Sequence, residues 1–500
     1  MVEAYELHQN VVDGVPVFWT EVDGPRVASM MFRVGRADEP AALGGITHLV
    51  EHLALAPLTQ QAYPHNGFVT PTRTVFHASG TEDQLVDYLA WVCRSLTSLP
   101  RDRVGMERGI LMQEAQKEGN SIGGTLRYFR YGYRGHGLVG QQQLGLGWLG
   151  PDPVVEWAAE RFTSGNAAVW FSGPPPDHLR LSLPDGPRRP PVALDPIDGL
   201  TLPAHASWGG PGVALSYLAA RSAASTTALS IIARRARETL RFERGRIYDV
   251  GLDYEPLNGE TTHCTLATEC QPEHTGEVLG ELLDIIAALQ RDGATTEELR
   301  RETDWFAENA RLPGGRMSFL DAAATDELFG RPRESPADVI EEFERLDPES
   351  VASAMRSAAG SLLVLAGTET PSDSGLHAYP AWSTTSVTGR EFRAPGLPFG
   401  SKARKDRLVV GDDGVMYLTP DGNRMTVRYD QSVAYRHWEG PGREIWGADG
   451  FRIRITASEW RGGQQAIDIV DGHVPPALVV CDEHGIGALE YPPKPASAGT

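Results

Sequence analysis

Residues 44–55 read GGITHLVEHLAL. Two histidines and a glutamate interrupt an otherwise apolar run, and their spacing decides how the run folds. On an α-helix each residue advances about 100°, so His52 lies about 40° to one side of His48 and Glu51 about 60° to the other. Ile46, Leu49, Val50 and Leu53 gather on the opposite face. The pattern predicts a helix over 43–56 with an apolar back and a front of two imidazoles and one carboxylate. Histidines four apart on such a face can reach one cation, and HxxEH is the inverted zinc-peptidase arrangement. An ordinary solvated helix face is the plainer alternative, but it gives no reason for that order of residues.

Zinc in a catalytic site needs a third protein ligand and an open position. Downstream, RVGMERGILMQEAQKEG (103–119) forms a second helix pattern that offers Glu107 and Glu114. They sit two turns apart, near Val104 and Leu111 on the same face. A carboxylate buried without counter-charge is costly, and a zinc ion would supply that charge. Glu114 is assigned as the third ligand, and Glu107 as the neighbour that orients a ligand. Glu51 is placed to take a proton from water at the metal. One Zn2+ per chain is expected.

Working outward, 500 residues suggest about three domains. At 41% hydrophobic residues the chain can bury real cores. A net charge of −20 argues against nucleic acid and against an anionic membrane surface as partners. The opening MVEAYELHQN lacks a basic segment and an apolar core, so no signal peptide is expected there. No apolar run approaches the ~20 residues of a membrane span. Cys93, Cys264, Cys270 and Cys481 lack CxxC spacing and read as free thiols, hence a cytoplasmic location.

Alternation and turn punctuation predict strands across 5–35, a single strand over 66–80 and a closing strand at 166–173. Helices are expected at 82–98, 102–118 and 154–163. A Pro-rich stretch then breaks the pattern. Beyond it come a strand at GVALSYLAA, a helix near 224–243, strands at YDVGLDYEP and THCTLATEC, helices near 273–291, 295–310 and 337–358, and a strand at 361–367. The two halves share a loose order that suggests duplication. The segment 407–487 reads as nearly all strand and turn, and the tail YPPKPASAGT as disordered. The division is 1–175, linker 176–205, 206–368, linker 369–405, β-rich 406–488 and tail 489–500. His65, His136 and His263 are read as loop residues, and Trp148, Trp157 and Trp170 as core anchors.

With these motifs in order, the chain resembles the M16 metallopeptidases, the pitrilysin, insulinase and mitochondrial processing peptidase group. RVGRADEPAALGGITHLVEH is similar to the family's strand and HxxEH entry, and Glu107 with Glu114 to its downstream pair. NGFVTPTRTVF, with Asn66 and Gly67, looks like its edge strand after the zinc helix. LRFERGRIYDV carries Arg241 and Tyr248, matching the Arg/Tyr pair of the second half. Two departures stand out: the interval from His52 to Glu114 is short for the family, and Gly67 stands where Ala is frequent.

The resemblance implies an α+β fold of two similar halves, each a mixed sheet flanked by helices; the small β-rich C-terminal domain, which looks PH-like, has no counterpart in the family core. It implies a zinc endopeptidase acting on unstructured peptides. His48, His52 and Glu114 would hold zinc, Glu51 would act as base, and Asn66, Gly67, Arg241 and Tyr248 would contact substrate. Arg241 and Tyr248 would also stabilise the oxyanion, facing the zinc of a second unit. That implies a homodimer or pairing with another M16-like subunit. A non-catalytic assembly partner or peptide-binding scaffold is the alternative. Substrate, cleavage preference, pathway and the role of the C-terminal domain are not legible in the sequence.

Overall fold

The computed structural model describes residues 6–58, 63–118, 122–210, 212–371, 373–395, 405–437 and 442–481. In the first half, β1 (His8–Val12), β2 (Val15–Trp19) and β3 (Arg26–Phe32) precede α1 (Ile46–Leu55). Then come β4 (His65–Val69), β5 (Thr74–Gly80), α2 (Glu82–Thr97), α3 (Val104–Glu118), α4 (Ile122–Tyr131), α5 (Pro151–Arg161) and β6 (Ala167–Phe171). The stretch 66–80 is thus two strands rather than one. Thr70–Pro71 turns the chain, because proline cannot continue a paired strand.

The second half repeats the plan. It runs through β7 (Ala204–Ser207), β8 (Val213–Ala220), α6 (Ala223–Ala236), β9 (Gly251–Pro256), β10 (Thr261–Thr268), α7 (Thr275–Asp292) and α8 (Thr296–Arg311). It ends with α9 (Pro313–Phe329), α10 (Pro336–Glu344), α11 (Pro348–Ala359), β11 (Leu363–Ala366) and β12 (His377–Ala378). The expected helix over 337–358 is two, divided before Pro348, where the residue ahead of a proline leaves helical geometry. A turn of π-helix (Arg237–Glu243) extends α6.

The two sheets run β1-β2-β6-β3-β5-β4 and β12-β7-β11-β8-β10-β9. Five strands correspond in order and in pairing sense: one parallel pair, β2 with β6 or β7 with β11, then antiparallel pairs to the edge. Each sheet buries one face under helices of its own half. Ile46, Leu49, Leu89 and Trp157 lie in the first of these cores, and Ile232, Leu282 and Met355 in the second.

The opposite faces are covered reciprocally. From the second half, α9 lays Leu320, Ala323, Ala324 and Leu328 on Phe18, Met31 and Trp170 of the first sheet. From the first half, α4 lays Leu126 and Phe129 on Ala206, Ala214 and Leu365 of the second sheet. Burying a leucine stabilises by roughly 1.5–3 kcal/mol, so each half contributes appreciably to its neighbour's core.

The segment expected to be a linker, 369–405, is partly built in: β12 pairs with β7, and β13 (Arg390–Arg393) opens a third sheet. That sheet runs β13-β14-β15-β16 through β14 (Arg407–Val410), β15 (Gly414–Leu418) and β16 (Arg424–Arg428). A fourth sheet, β19-β18-β17-β20, comprises β17 (Ser432–His437), β18 (Gly442–Gly447), β19 (Arg452–Thr456) and β20 (Val479–Cys481). Between β19 and β20, α12 (Gly463–His473) buries Ala466, Ile467 and Val470. Residues QQAIDIV, which read as strand, are therefore helix. Their apolar positions recur at helical spacing and face Ile453 and Tyr435 within one core.

This β-rich unit docks on the first half, where Tyr133 meets Trp446 with ring centroids 4.4 Å apart. The side chain of Cys481 and the tail lie outside the described residues. Cys93, Cys264 and Cys270 are free thiols. Among the described residues no helix is long and apolar enough to cross a membrane.

Candidate metal centre

Helix α1 is held at its start by a buried carboxylate. Glu39 accepts from the backbone N–H of Gly45 at 2.8 Å and of Thr47 at 2.9 Å, where helix amides lack internal partners. Trp157 Nε1 donates to Thr47 Oγ1 at 3.2 Å. With Ile46, Leu49, Val50 and Leu53 fully buried, the helix can present only one face outward. That face carries His48, Glu51 and His52.

Helix α3 packs alongside and brings its carboxylates to the same place. One ligand atom each from His48, His52 and Glu114 lies within 4.8 Å of the others. Nε2 of His52 is 3.6 Å from Glu114 Oε2. Glu51 Oε2 stands 3.7 Å from His48 Nε2 and 3.9 Å from His52 Nε2. Glu107 faces the other ring nitrogen, His52 Nδ1, at 3.4 Å, and Arg103 donates to its second oxygen at 2.9 Å. A carboxylate at Nδ1 favours the proton there and leaves Nε2 free for a metal. Glu107 is buried as expected, whereas Glu114 is 41% exposed at its side chain and sits at the margin.

The electrostatics show a deficit of positive charge. Burial, together with the neighbouring Glu114 and Glu107, pushes the Glu51 carboxyl up to about 8. Burial, then Arg36 and His52, pushes the His48 imidazole down to about 3. Without a metal, the Glu51 carboxyl is thus held protonated beside a neutral His48 imidazole and the carboxylates Glu107 and Glu114. A divalent cation fits this set, with two nitrogen donors and one oxygen donor on two rigid helices. Two imidazoles and one carboxylate form a donor set that zinc accepts.

Asn66 and Gly67 lie on β4, the edge strand of the first sheet. Gly67 is pressed against the site: a Cβ there would come within 2.4 Å of Glu51 Oε1 and 2.9 Å of Leu55 Cδ1. Its lack of a side chain leaves room for the carboxylate. Tyr88 donates to the Asn66 carbonyl at 2.9 Å and steadies the strand.

Arg241 and Tyr248 are brought together, but away from this cluster. The Arg241 guanidinium lies 5.1 Å from the Tyr248 ring centroid and 5.2 Å from that of Phe242. Tyr248 is 83% exposed and Phe242 72%. No described contact joins the pair to His48, Glu51, His52 or Glu114.

Arg36 is a residue that sequence reasoning missed. Its Nη2 lies 3.4 Å from His48 Nδ1. Nine residues of turns and loop separate it from the helix, so no periodicity pointed to it. The histidines read as loop residues belong elsewhere: His65 to β4, His263 fully buried on β10, and His136 buried in a short 3-10 turn. Trp157 and Trp170 are core residues, and Trp148 donates to the Ala42 carbonyl.

No protein-family model matches the chain, and no characterised protein sequence matches it. Solved structures do. A peptidase M16 inactive domain from Pseudomonas fluorescens aligns with TM-score 0.59 at 14% identity, covering 72% of this chain and 98% of its own. A protease from Helicobacter pylori gives 0.59 at 14%, covering 72% and 99%. Pitrilysin gives 0.58 at 13%; 73% of this chain is covered, but only 45% of pitrilysin. At these identities the likeness is one of fold, two M16-like halves, and this chain carries a β-rich C-terminal region besides.

Proposed function

We propose that the chain is a zinc-dependent endopeptidase for unstructured peptides. The observation that carries this reading is the convergence of His48, His52 and Glu114, with Glu51 over them. Those three side chains would hold one zinc, which when bound supplies a Lewis acid that acidifies water and polarises a carbonyl.

Glu51 receives the proton of the attacking water and returns it to the leaving nitrogen. Glu107 keeps the His52 ring turned, through Nδ1. Strand β4, with Asn66 and Gly67, adds the peptide as a further strand, so affinity comes from backbone pairing. Tyr248 donates a hydrogen bond to the oxyanion and Arg241 binds a peptide carbonyl. Because that pair is exposed and apart from its own cluster, it serves the site of a second copy, in a homodimer or with a related subunit. Free thiols at Cys93, Cys264 and Cys270 support a cytoplasmic location.

The second reading is a non-catalytic partner, and the inactive domain among the similar structures favours it. The complete donor set with its base argues for catalysis. Metal analysis and a quenched peptide substrate decide between them. One zinc per chain is expected, with hydrolysis that falls about 10³-fold in Glu51→Gln while zinc stays bound. A chain without zinc, or a variant as fast as wild type, overturns the enzyme reading.

A further inference from the structure

Arg36 stands beside the candidate metal centre without an ion pair among the described residues; the nearest opposite charge that acts on it, buried Glu39, does so at a distance. Its Nε is buried without a hydrogen-bond partner. Arg103, also beside the cluster, is paired with Glu107. On Arg36's own segment, Glu39 accepts from the amides of Gly45 and Thr47 and feels the Arg36 charge without an ion-pair contact to it.

The polar side-chain contact of Arg36 is with His48 Nδ1, at 3.4 Å. A guanidinium can only donate, so this contact needs a lone pair at Nδ1. When His48 gives Nε2 to a metal, its proton sits on Nδ1 and the acceptor is gone. With Nε2 of His48 on a metal, the Arg36 guanidinium would have no side-chain acceptor among the described residues.

Its position is fixed relative to the peptide-binding edge. The Arg36 amide donates to the Thr70 carbonyl at 3.1 Å, and the Ala37 amide to Pro71 at 2.9 Å. Gly35 fits so closely that a Cβ would come within 2.5 Å of Thr70 O. The segment 35–37 is therefore fastened to the turn that ends β4, so that the Arg36 side chain, in contact with His48, lies between that turn and the cluster. A carboxylate is the guanidinium's strongest partner, held by two parallel N–H donors.

Resting on the endopeptidase reading of this site, we propose that Arg36 selects substrate. It favours peptides carrying an aspartate or glutamate within about two residues of the scissile bond, since a strand advances ~3.3 Å per residue. The chain's net charge of −20 opposes acidic peptides at long range, so the preference is local and short-ranged.

The test uses the zinc-loaded full chain and short quenched-fluorescence peptides that differ only by Glu or Gln at each position flanking the cleaved bond. Wild type is expected to prefer Glu by about tenfold in kcat/KM at one of these positions. The preference disappears in Arg36→Gln and turns toward a Lys peptide in Arg36→Glu. Binding of the same peptides to the Glu51→Gln chain, measured by fluorescence anisotropy, reports recognition without hydrolysis. Equal kcat/KM and equal Kd for Glu and Gln peptides, or a preference that survives Arg36→Gln, overturns the proposal. If wild type hydrolyses nothing while Glu51→Gln binds the Glu peptide more tightly through Arg36, the enzyme reading falls and the recognition by Arg36 stands.

Discussion

The same pair of helices in the two halves solves one electrostatic problem in two ways. In the second half, α8 presents Glu298 and Glu302 to α6, which answers with Arg235 and Arg234. The cations are part of the chain, and the helix pair is complete in itself. In the first half, α3 presents Glu107 and Glu114 to α1, which answers with His48 and His52 and adds a third carboxylate, Glu51. One arginine, Arg103, reaches Glu107 alone. The duplicated scaffold thus has one helix pair closed by guanidinium groups and one left short of positive charge. The three carboxyl groups on two facing helices, with no guanidinium on Glu51 or Glu114 among the described residues, single out the candidate metal centre as much as the histidines do.

The largest effect that would break or sharpen this contrast concerns the division of labour between halves. Chains with Glu51→Gln, and chains with Arg241→Ala plus Tyr248→Phe, are each expected to be inactive. Mixed as dimers, they should regain about a quarter of wild-type activity, since half the dimers are mixed and each has one whole site. Activity that stays absent in dimers shown to be mixed would mean the two halves do not serve each other across subunits.

Next in size is a matched pair of substitutions. Glu114→Gln should weaken zinc binding about 100-fold, measured by competition with a chromophoric chelator, while leaving the metal-free melting temperature nearly unchanged. Glu302→Gln should do the reverse. It strands Arg234 and destabilises by about 2 kcal/mol, with zinc affinity intact. If both variants behave alike, the contrast is wrong. Gly67→Ala should lower kcat about tenfold by crowding the Glu51 carboxylate, with folding preserved; an unchanged kcat would show that the carboxylate has room to move.

The smallest effect is in pH dependence. The folded Glu51 carboxyl is held near 8, against an ordinary value of 4.5. Between those values the native metal-free chain keeps a proton that the unfolded chain has lost, so stability falls as pH rises through that window. Removing the carboxyl with Glu51→Gln should therefore stabilise the metal-free protein at pH 8 by about 1–2 kcal/mol and have little effect below pH 4.5. A denaturation series over pH with zinc chelated measures it, and a flat difference would contradict the buried, unanswered carboxylate.

Much of the first half was legible because its pattern is local. The apolar back of α1 and the spacing of His48, Glu51 and His52 lie within ten residues, and helical geometry alone sorts them. The elements that escaped owe their form to contacts distant in sequence. Helix α4 begins IGG and α9 begins PGG, weak helix formers, and both are stabilised by the sheet of the other half. The β-branched residues of α12 favoured a strand reading until a core formed on one side of them. Arg36 was invisible for a similar reason: its meaning comes from the β4–β5 turn that grips its backbone.

The crossed placement of α4 and α9 ties the fate of one half to the other. Neither sheet has both faces dry unless its neighbour is folded, so residues 6–378 should melt in a single transition despite containing two cores. A cut in the Pro-rich connection would yield two fragments that each expose an oily flank, aggregate when made separately and recover solubility only when made together.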